Sequence, residues 1–178
     1  MEVHRMRLTG KNVLILAGPD YEDMELQYPR YRLLEEGAHV VIAGIGEPSY
    51  SGKNGYPVKV DVQITEVDAR DFDALVVPGG YAPDKMRRVP ELLDVVREMH
   101  DAGKPIGAIC HAAWVPISAG ILKGKRMTCV SAIKDDVINA GADYVDEPVV
   151  VDGNLITSRT PADLPLWLPA LIDAIARA

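Results

Sequence analysis

The sequence predicts one α/β domain in which helices cover both faces of a mostly parallel sheet, a three-layer sandwich. Apolar runs of strand length alternate with amphipathic stretches of helix length along the 178 residues, which is the pattern of βα units. The runs are rich in β-branched residues and lack polar alternation, as expected for strands buried on both faces. The length suits one domain with a sizeable core. No internal repeat or linker divides the chain, so the predicted domain spans residues 1–178.

The elements follow from local patterns. The helix predicted after the first strand ends at Gly37, a typical helix stop, and Pro29 should bend this helix or mark a late start. Asp152-Gly153 is a turn signal between two short strands. The predicted strands are 12–17, 39–43, 74–77, 105–109, 149–151 and 155–156, with a short extra antiparallel strand within 56–63. The predicted helices are 23–36, 112–119 and 164–178.

Charge and composition exclude several classes of partner. The net charge of −7 would repel nucleic acid and anionic membranes, so we expect neither as a partner. No stretch approaches the roughly 20 apolar residues of a membrane span, and the first apolar run is too short for a signal peptide. With only two cysteines, Cys110 and Cys129, we expect neither a disulfide framework nor a metal site. We therefore predict a cytoplasmic protein, with residues 1–10 loosely ordered.

Cys110 is the main candidate for chemistry. It lies between a predicted buried strand and a predicted helix, among the small residues of Gly107-Ala-Ile-Cys-His-Ala-Ala113. At a helix N-terminus the unpaired N–H groups favour an anion, so we expect a lowered thiol pKa and a nucleophilic thiolate. His111 provides an adjacent base for the thiol proton. The alternative is that Cys110 is a small buried apolar residue, the commoner fate of a lone cysteine.

Two further loops should lie beside this cysteine, at the carboxyl ends of neighbouring strands. The loop 18–23 carries Asp20, Glu22 and Asp23, whose charges would repel the phosphate of a flavin, so we predict no cofactor. In the other loop, Pro78-Gly-Gly80, the glycines can aim backbone N–H groups into the cleft. We expect Gly79 and Gly80 to form an oxyanion hole together with the His111 N–H.

These residues belong to a set of segments that resembles one known family. The chain resembles the DJ-1/PfpI superfamily, specifically the branch of PfpI-type intracellular proteases and general stress proteins, which implies a flavodoxin-like fold. The matching segments are Tyr21-Glu-Asp-Met-Glu-Leu26, Gly52-Lys-Asn-Gly-Tyr56, Pro78-Gly-Gly-Tyr-Ala-Pro-Asp84, Ala108-Ile-Cys-His111, Ile117-Ser-Ala-Gly120, Ile133-Lys-Asp-Asp136, Asn139-Ala-Gly141 and Ser158-Arg-Thr-Pro-Ala-Asp-Leu164. Together and in this order they are highly specific.

The resemblance implies a role for several positions. Cys110 matches the family nucleophile, and Glu22 matches the carboxyl group that hydrogen-bonds its sulfur. His111 matches the histidine of a triad, and Asp84 matches the triad acid, which a neighbouring subunit supplies. The resemblance therefore implies a homodimer or a hexamer of dimers. The chain departs from the family pattern after the histidine, where Ala112-Ala113-Trp114 replaces Gly-Pro; we expect Trp114 in the core.

Three functions remain open. The first is a cysteine hydrolase that cleaves peptides through a thioester, active in the stress response. The second is a cofactor-free glyoxalase or deglycase, in which Cys110 attacks methylglyoxal-type carbonyls and Glu22 or His111 moves the proton. The third is a redox sensor or chaperone-like stress protein without enzymatic activity, in which Cys110 is oxidised. A glutamine amidotransferase is excluded because its histidine must follow the cysteine well downstream, and no histidine follows His111.

Overall fold

A seven-stranded sheet forms the centre of the molecule, as the computed structural model describes it for residues 5–178. Its strand order is β10-β11-β7-β6-β1-β2-β5, and every neighbouring pair is parallel except β10 and β11. The strands of this sheet are β1 (Asn12–Leu16), β2 (His39–Gly44), β5 (Val62–Gln63), β6 (Ala74–Val77), β7 (Ile106–Ile109), β10 (Val149–Asp152) and β11 (Leu155–Ser158). The predicted three-layer fold with a mostly parallel sheet is confirmed.

Two small two-stranded ribbons flank this sheet. The first, β3 (Ser49–Ser51) with β4 (Pro57–Lys59), is antiparallel and contains part of the extra strand expected within 56–63. The second, β8 (Arg126–Met127) with β9 (Asp143–Tyr144), is parallel. The loop of the first ribbon reaches the centre of the molecule, because the Lys53 N–H donates to the Tyr21 carbonyl at 2.9 Å.

Six helices complete the described residues. They are α1 (Asp23–Glu35), α2 (Ala82–Met86), α3 (Pro90–Asp101), α4 (Trp114–Ala119), α5 (Lys134–Asn139) and α6 (Leu164–Arg177). α1 packs against α6, and α4 packs against α2, α3 and α5. Pro29 lies inside α1, which begins at Asp23, so the alternative of a late helix start is wrong. None of the helices in residues 5–178 is long and apolar enough to cross a membrane.

Close packing at the centre of the sheet fixes the strand that precedes Cys110. The four residues of β7 are all buried. A Cβ at Gly107 would lie 2.9 Å from side-chain atoms of Trp167 and Leu171 on α6, so only glycine allows the helix to approach this closely.

The expectation of loose ordering for residues 1–10 falls partly on residues 1–4, outside the described range. Leu8 is fully buried, which anchors the chain from this position onward.

Candidate active site

Three loops meet at the carboxyl edge of the sheet because β1, β6 and β7 are neighbours in it. The loop after β1 and the loop after β6 are joined by an isolated bridge between Tyr21 and Gly80. Two backbone hydrogen bonds flank this bridge: the Glu22 N–H donates to Gly79 at 3.1 Å, and the Tyr81 N–H donates to Asp20 at 2.9 Å. Cys110 follows β7 directly. The sequence prediction that these loops lie together is confirmed.

Cys110 occupies a strained turn. Its φ is +62°, in the left-handed region that residues other than glycine rarely adopt. Such strain persists only where the surrounding structure enforces it, and it is concentrated at functional sites. The residues Cys110–Ala113 form one 3-10 turn, which continues into α4 at Trp114. The turn places the thiol at the strand–helix junction, partly exposed.

The carboxyl group beside this thiol belongs to Glu25. Glu25 is fully buried in the first turn of α1, and its side chain lies close enough to the Cys110 thiol to raise the pKa of that thiol. Its Oε2 accepts the Gly79 N–H at 2.8 Å. Its Oε1 is buried and has no hydrogen-bond partner among residues 5–178, so this oxygen is available to a bound molecule.

Glu22 has a different place from the one predicted. Its side chain accepts the Glu25 backbone N–H at 2.9 Å, as the N-cap of α1. The prediction that Glu22 hydrogen-bonds the sulfur is therefore wrong, because a cap must bond to its own helix whereas Glu25 projects one turn later toward β7. The N-cap role nevertheless fixes the first turn of α1, and so the position of Glu25.

Burial changes the protonation of this pair. Burial raises the pKa of Glu25 to about 8, and the charge of Glu22 adds to the rise. Burial also raises the pKa of Cys110 to about 12, with the Glu25 charge as the next cause. Burial and the Glu25 charge therefore oppose the lowering of the thiol pKa that was expected from the helix N-terminus. Near neutral pH, the pair therefore holds a thiol and a protonated carboxyl group.

His111 lies on the other side of the thiol. Its Nδ1 is 3.4 Å from the Cys110 Sγ, so the two side chains do face each other although they are adjacent in sequence. Burial lowers the pKa of His111, and the positive charge of Lys53 lowers it further. The imidazole is therefore neutral near pH 7 and can accept a proton.

Two of the three expected oxyanion donors point at the sulfur. The backbone N–H groups of Gly80 and His111 donate to the Cys110 thiol. The Gly79 N–H does not face the cleft, because it donates to Glu25; its prediction as an oxyanion donor is wrong. Gly80 has a φ of +78°, which a glycine adopts without strain and which turns its N–H toward β7.

Asp84 lies on α2 and is not in contact with His111 in this chain. Its carboxylate forms an ion pair with Arg88, one turn along the same helix, at 2.9 Å. The side chain is 41% exposed. The position on an exposed helix face beside the cleft is compatible with a role toward a neighbouring subunit, which stays a prediction.

Trp114 is not in the core as expected. Its indole lies edge-on against the His111 ring, with centroids 5.2 Å apart, and its Nε1 donates to Asp136 at 2.9 Å. It also lines an open cavity of about 360 Å³ with Arg87 and Ile117. Sequence reasoning missed both Glu25 and Trp114 as site residues. The sequence signal for Glu25 was its position in the first turn of the predicted helix that follows β1. A carboxyl group that is buried there needs a partner.

Known proteins are similar to this chain in sequence and in fold. The family model described as the DJ-1/PfpI family matches residues 11–174. Deglycase PH1704 of Pyrococcus horikoshii is 48% identical over 163 residues, 92% of this chain and 98% of that protein. YraA of Bacillus subtilis, whose name describes it provisionally as a cysteine protease, is 41% identical over 156 residues, 87% of this chain and 92% of that protein.

A solved structure gives the same answer for the fold. It is a two-domain protein of Anabaena variabilis with a DJ-1/ThiJ/PfpI-like and a ferritin-like domain, and it is 45% identical with a TM-score of 0.89. The match covers 92% of this chain and 47% of that protein, so this chain spans about half of its length. From the family match over residues 11–174 and the similarity to PH1704 along nearly its whole length, the chain belongs to the DJ-1/PfpI family.

Proposed function

We propose that the protein is a deglycase-type enzyme that converts small α-oxo aldehydes, and their adducts on amines, into hydroxy acids. The observation that carries the proposal is the buried Glu25 carboxyl against the Cys110 thiol, with a pKa of about 8. Isomerising a carbonyl adduct on sulfur needs a group that takes and returns a proton near neutral pH. Peptide hydrolysis also needs proton transfer, which His111 can provide, but it requires no proton shift between two carbon atoms. The name of the relative PH1704, a deglycase, supports the same reaction.

The first step is addition of sulfur to the aldehyde carbon. The Cys110 proton passes to His111 Nδ1, 3.4 Å away, as the S–C bond forms. With methylglyoxal, the aldehyde oxygen then takes this proton from His111, which gives a hemithioacetal directly. With a methylglyoxal-modified amine, sulfur displaces the amine, which leaves with the proton from His111. The N–H groups of Gly80 and His111, which donate to the thiol, lie where they can stabilise the charge on the adduct oxygen.

The second step is a proton shift within the adduct. Glu25 in its carboxylate form removes the hydrogen from the carbon bonded to sulfur and returns a proton to the neighbouring carbonyl carbon. The hydroxyl proton moves to the neighbouring oxygen at the same time, which leaves a C=O on the carbon bonded to sulfur and gives a thioester of lactate. A carboxyl group with a pKa of about 8 is populated in both forms near neutral pH. Water then cleaves the thioester to lactate and restores the thiol. The sum is methylglyoxal plus water to lactic acid.

A cysteine hydrolase is the second candidate function. The contact between Cys110 and His111 and the two N–H donors at the sulfur are the parts that acyl transfer needs. Asp84 of a neighbouring subunit would complete a triad, so this function requires a dimer or a larger ring. The name of YraA supports this reaction.

The test is lactate formation from methylglyoxal by the wild-type chain, Cys110→Ser and Cys129→Ser. Cys129 is the matched control because it is the other cysteine of the chain and lies buried. We expect lactate from wild type and from Cys129→Ser, and at least a hundredfold less from Cys110→Ser. Equal lactate from Cys110→Ser and wild type would contradict the proposal. Peptide hydrolysis without lactate formation would favour the hydrolase instead.

A further inference from the structure

The His111 ring has a second contact besides the thiol. The indole of Trp114 meets it edge-on at 5.2 Å between centroids, with an angle of 62° between the planes. Both side chains belong to the continuous helical run that starts at Cys110 and becomes α4. The indole therefore limits how far the imidazole can turn away from the sulfur.

Trp114 is itself held from two other helices. Its Nε1 donates to Oδ2 of Asp136, on α5, at 2.9 Å. The guanidinium of Arg87, which follows α2, lies 5.5 Å from the centre of the indole, a distance typical of cation–π contacts. Arg87 is in turn fixed by a hydrogen bond of 2.9 Å from its Nε to Ser118. We refer to Arg87, Trp114 and Asp136 as the indole brace.

The brace orients His111, a role that no acid within residues 5–178 performs. Among residues 5–178, the ring nitrogens of His111 form no hydrogen bond to a carboxylate, and Nδ1 faces the Cys110 thiol instead. Asp84, the expected triad acid, is paired with Arg88. We propose that the indole brace positions His111, so that Nδ1 faces Cys110. Trp114 is thus a positioning residue.

The proposal deepens the proposed function. Its turnover measurements rest on that function, whereas its measurement of the pKa of His111 does not. The titratable groups in the cleft beside His111 are Cys110 and Glu25. The charged groups nearby are Lys53 from the ribbon loop, and Arg87 and Asp136 across the indole. Loosening the brace admits water to the imidazole and raises the pKa of His111 toward its ordinary value of 6.5. Loss of the Asp136 charge alone would lower the pKa of His111, because an anion favours the charged imidazole.

Because the two effects shift the pKa of His111 in opposite directions, variants of Asp136 can separate them. Asp136→Leu removes both the charge and the acceptor, while Asp136→Asn removes the charge but keeps an oxygen for the Trp114 N–H. Asp135→Leu is the matched control, since Asp135 is in the same first turn of α5 and equally exposed to solvent. The pKa of His111 is followed by NMR titration, and kcat and KM are measured with methylglyoxal.

We expect Asp136→Leu to raise the pKa of His111 and to lower kcat about tenfold, with KM within about twofold. Asp136→Asn and Asp135→Leu should keep kcat near wild type, and neither should raise the pKa of His111. Identical titrations of Asp136→Leu and Asp135→Leu would overturn the brace. If wild type forms no lactate, the proposed function fails, whereas the titrations still decide whether the brace holds His111.

Discussion

The backbone N–H of Gly79 donates a hydrogen bond of 2.8 Å to Oε2 of Glu25. This bond joins the loop after β6 to the first turn of α1, and it leaves Oε1 of the same carboxyl group without a nitrogen or oxygen partner in residues 5–178. A carboxyl group held at one oxygen and open at the other is suited to exchange a proton with its neighbour. That neighbour is the Cys110 thiol.

Gly79→Ala should disrupt this arrangement without unfolding the chain. The new Cβ would lie 2.5 Å from Oε2 of Glu25 and 2.8 Å from the Cβ of Cys110, so the carboxyl group or the thiol must move. Overpacking of this kind costs about 1–3 kcal/mol of stability, and we expect kcat for lactate formation to fall at least about tenfold. Gly18→Ala is the control, since its Cβ would lie 3.3 Å from Ala82. Equal kcat values for the two variants would contradict the expected displacement.

The high pKa of Glu25 makes stability depend on pH. The ordinary value is 4.5 and the value in the folded chain is about 8, so between these pH values the unfolded chain loses a proton that the folded chain keeps. This contribution to the free energy of unfolding is therefore fully present below pH 4.5 and is lost as pH rises to 8. It amounts to about 5 kcal/mol at most. Urea unfolding of wild type and Glu25→Gln from pH 5 to pH 8 measures it.

Glu25→Gln carries no titrating group at this position, so its stability should fall less over that pH range than the stability of wild type. The difference between the two proteins isolates Glu25 from the other groups that titrate. Parallel curves for the two proteins would mean that Glu25 titrates normally in the folded chain.

The two thiols should react at different rates although their pKa values are both raised to about 12. Cys110 is partly exposed, whereas Cys129 is buried, and only Cys110 has an imidazole at 3.4 Å that can accept its proton. At pH 7 we expect iodoacetamide to modify Cys110 at least about tenfold faster than Cys129, and His111→Ala to slow the reaction at Cys110. Mass spectrometry of the peptides gives both rates. Similar rates for the two thiols would argue against His111 as the base.

Asp84 distinguishes the two candidate functions. Asp84→Ala and Arg88→Ala both break the same exposed ion pair, which is worth about 0.5 kcal/mol at most. Only Asp84→Ala removes an acid that a neighbouring subunit could use. If a peptidase triad forms in an oligomer, Asp84→Ala should reduce peptide hydrolysis at least about tenfold, while Arg88→Ala should not. Both variants should keep lactate formation, and equal peptide hydrolysis by the two would count against an Asp84 triad.

The strands could be predicted from the sequence because buried parallel strands are written as continuous apolar runs. Ala74–Val77 agrees with the prediction at both ends, and β1, β2 and β7 agree to within one residue at each end. No bounds were predicted for α2, α3 and α5. α2 and α3 both carry a proline in the first turn, a position that suits proline and that marks a helix start only when the following periodicity is recognised.

Cys110 and His111 could be predicted as site residues from the sequence, but the carboxyl group that lies beside the thiol could not. A sequence places Glu22 and Glu25 three residues apart in one acidic helix start, and both side chains are buried. The start of α1 was predicted correctly at Asp23, but Glu22 was assigned from the family resemblance, and local sequence does not show which of the two side chains faces β7. Trp114 was expected in the core. The actual place of its side chain depends on Asp136 of α5, 22 positions later, and local patterns do not reveal such a contact.

The most direct test of the central claim compares lactate formation by Glu25→Gln and Glu22→Gln with wild type at pH 7.5. Glu22→Gln keeps an oxygen that can cap α1, so kcat should stay within about threefold of wild type. Glu25→Gln keeps the shape of the side chain but cannot exchange a proton, so kcat should fall at least about a hundredfold while Cys110 still forms an adduct with methylglyoxal. Unchanged lactate formation by Glu25→Gln would contradict the claim that Glu25 moves the proton.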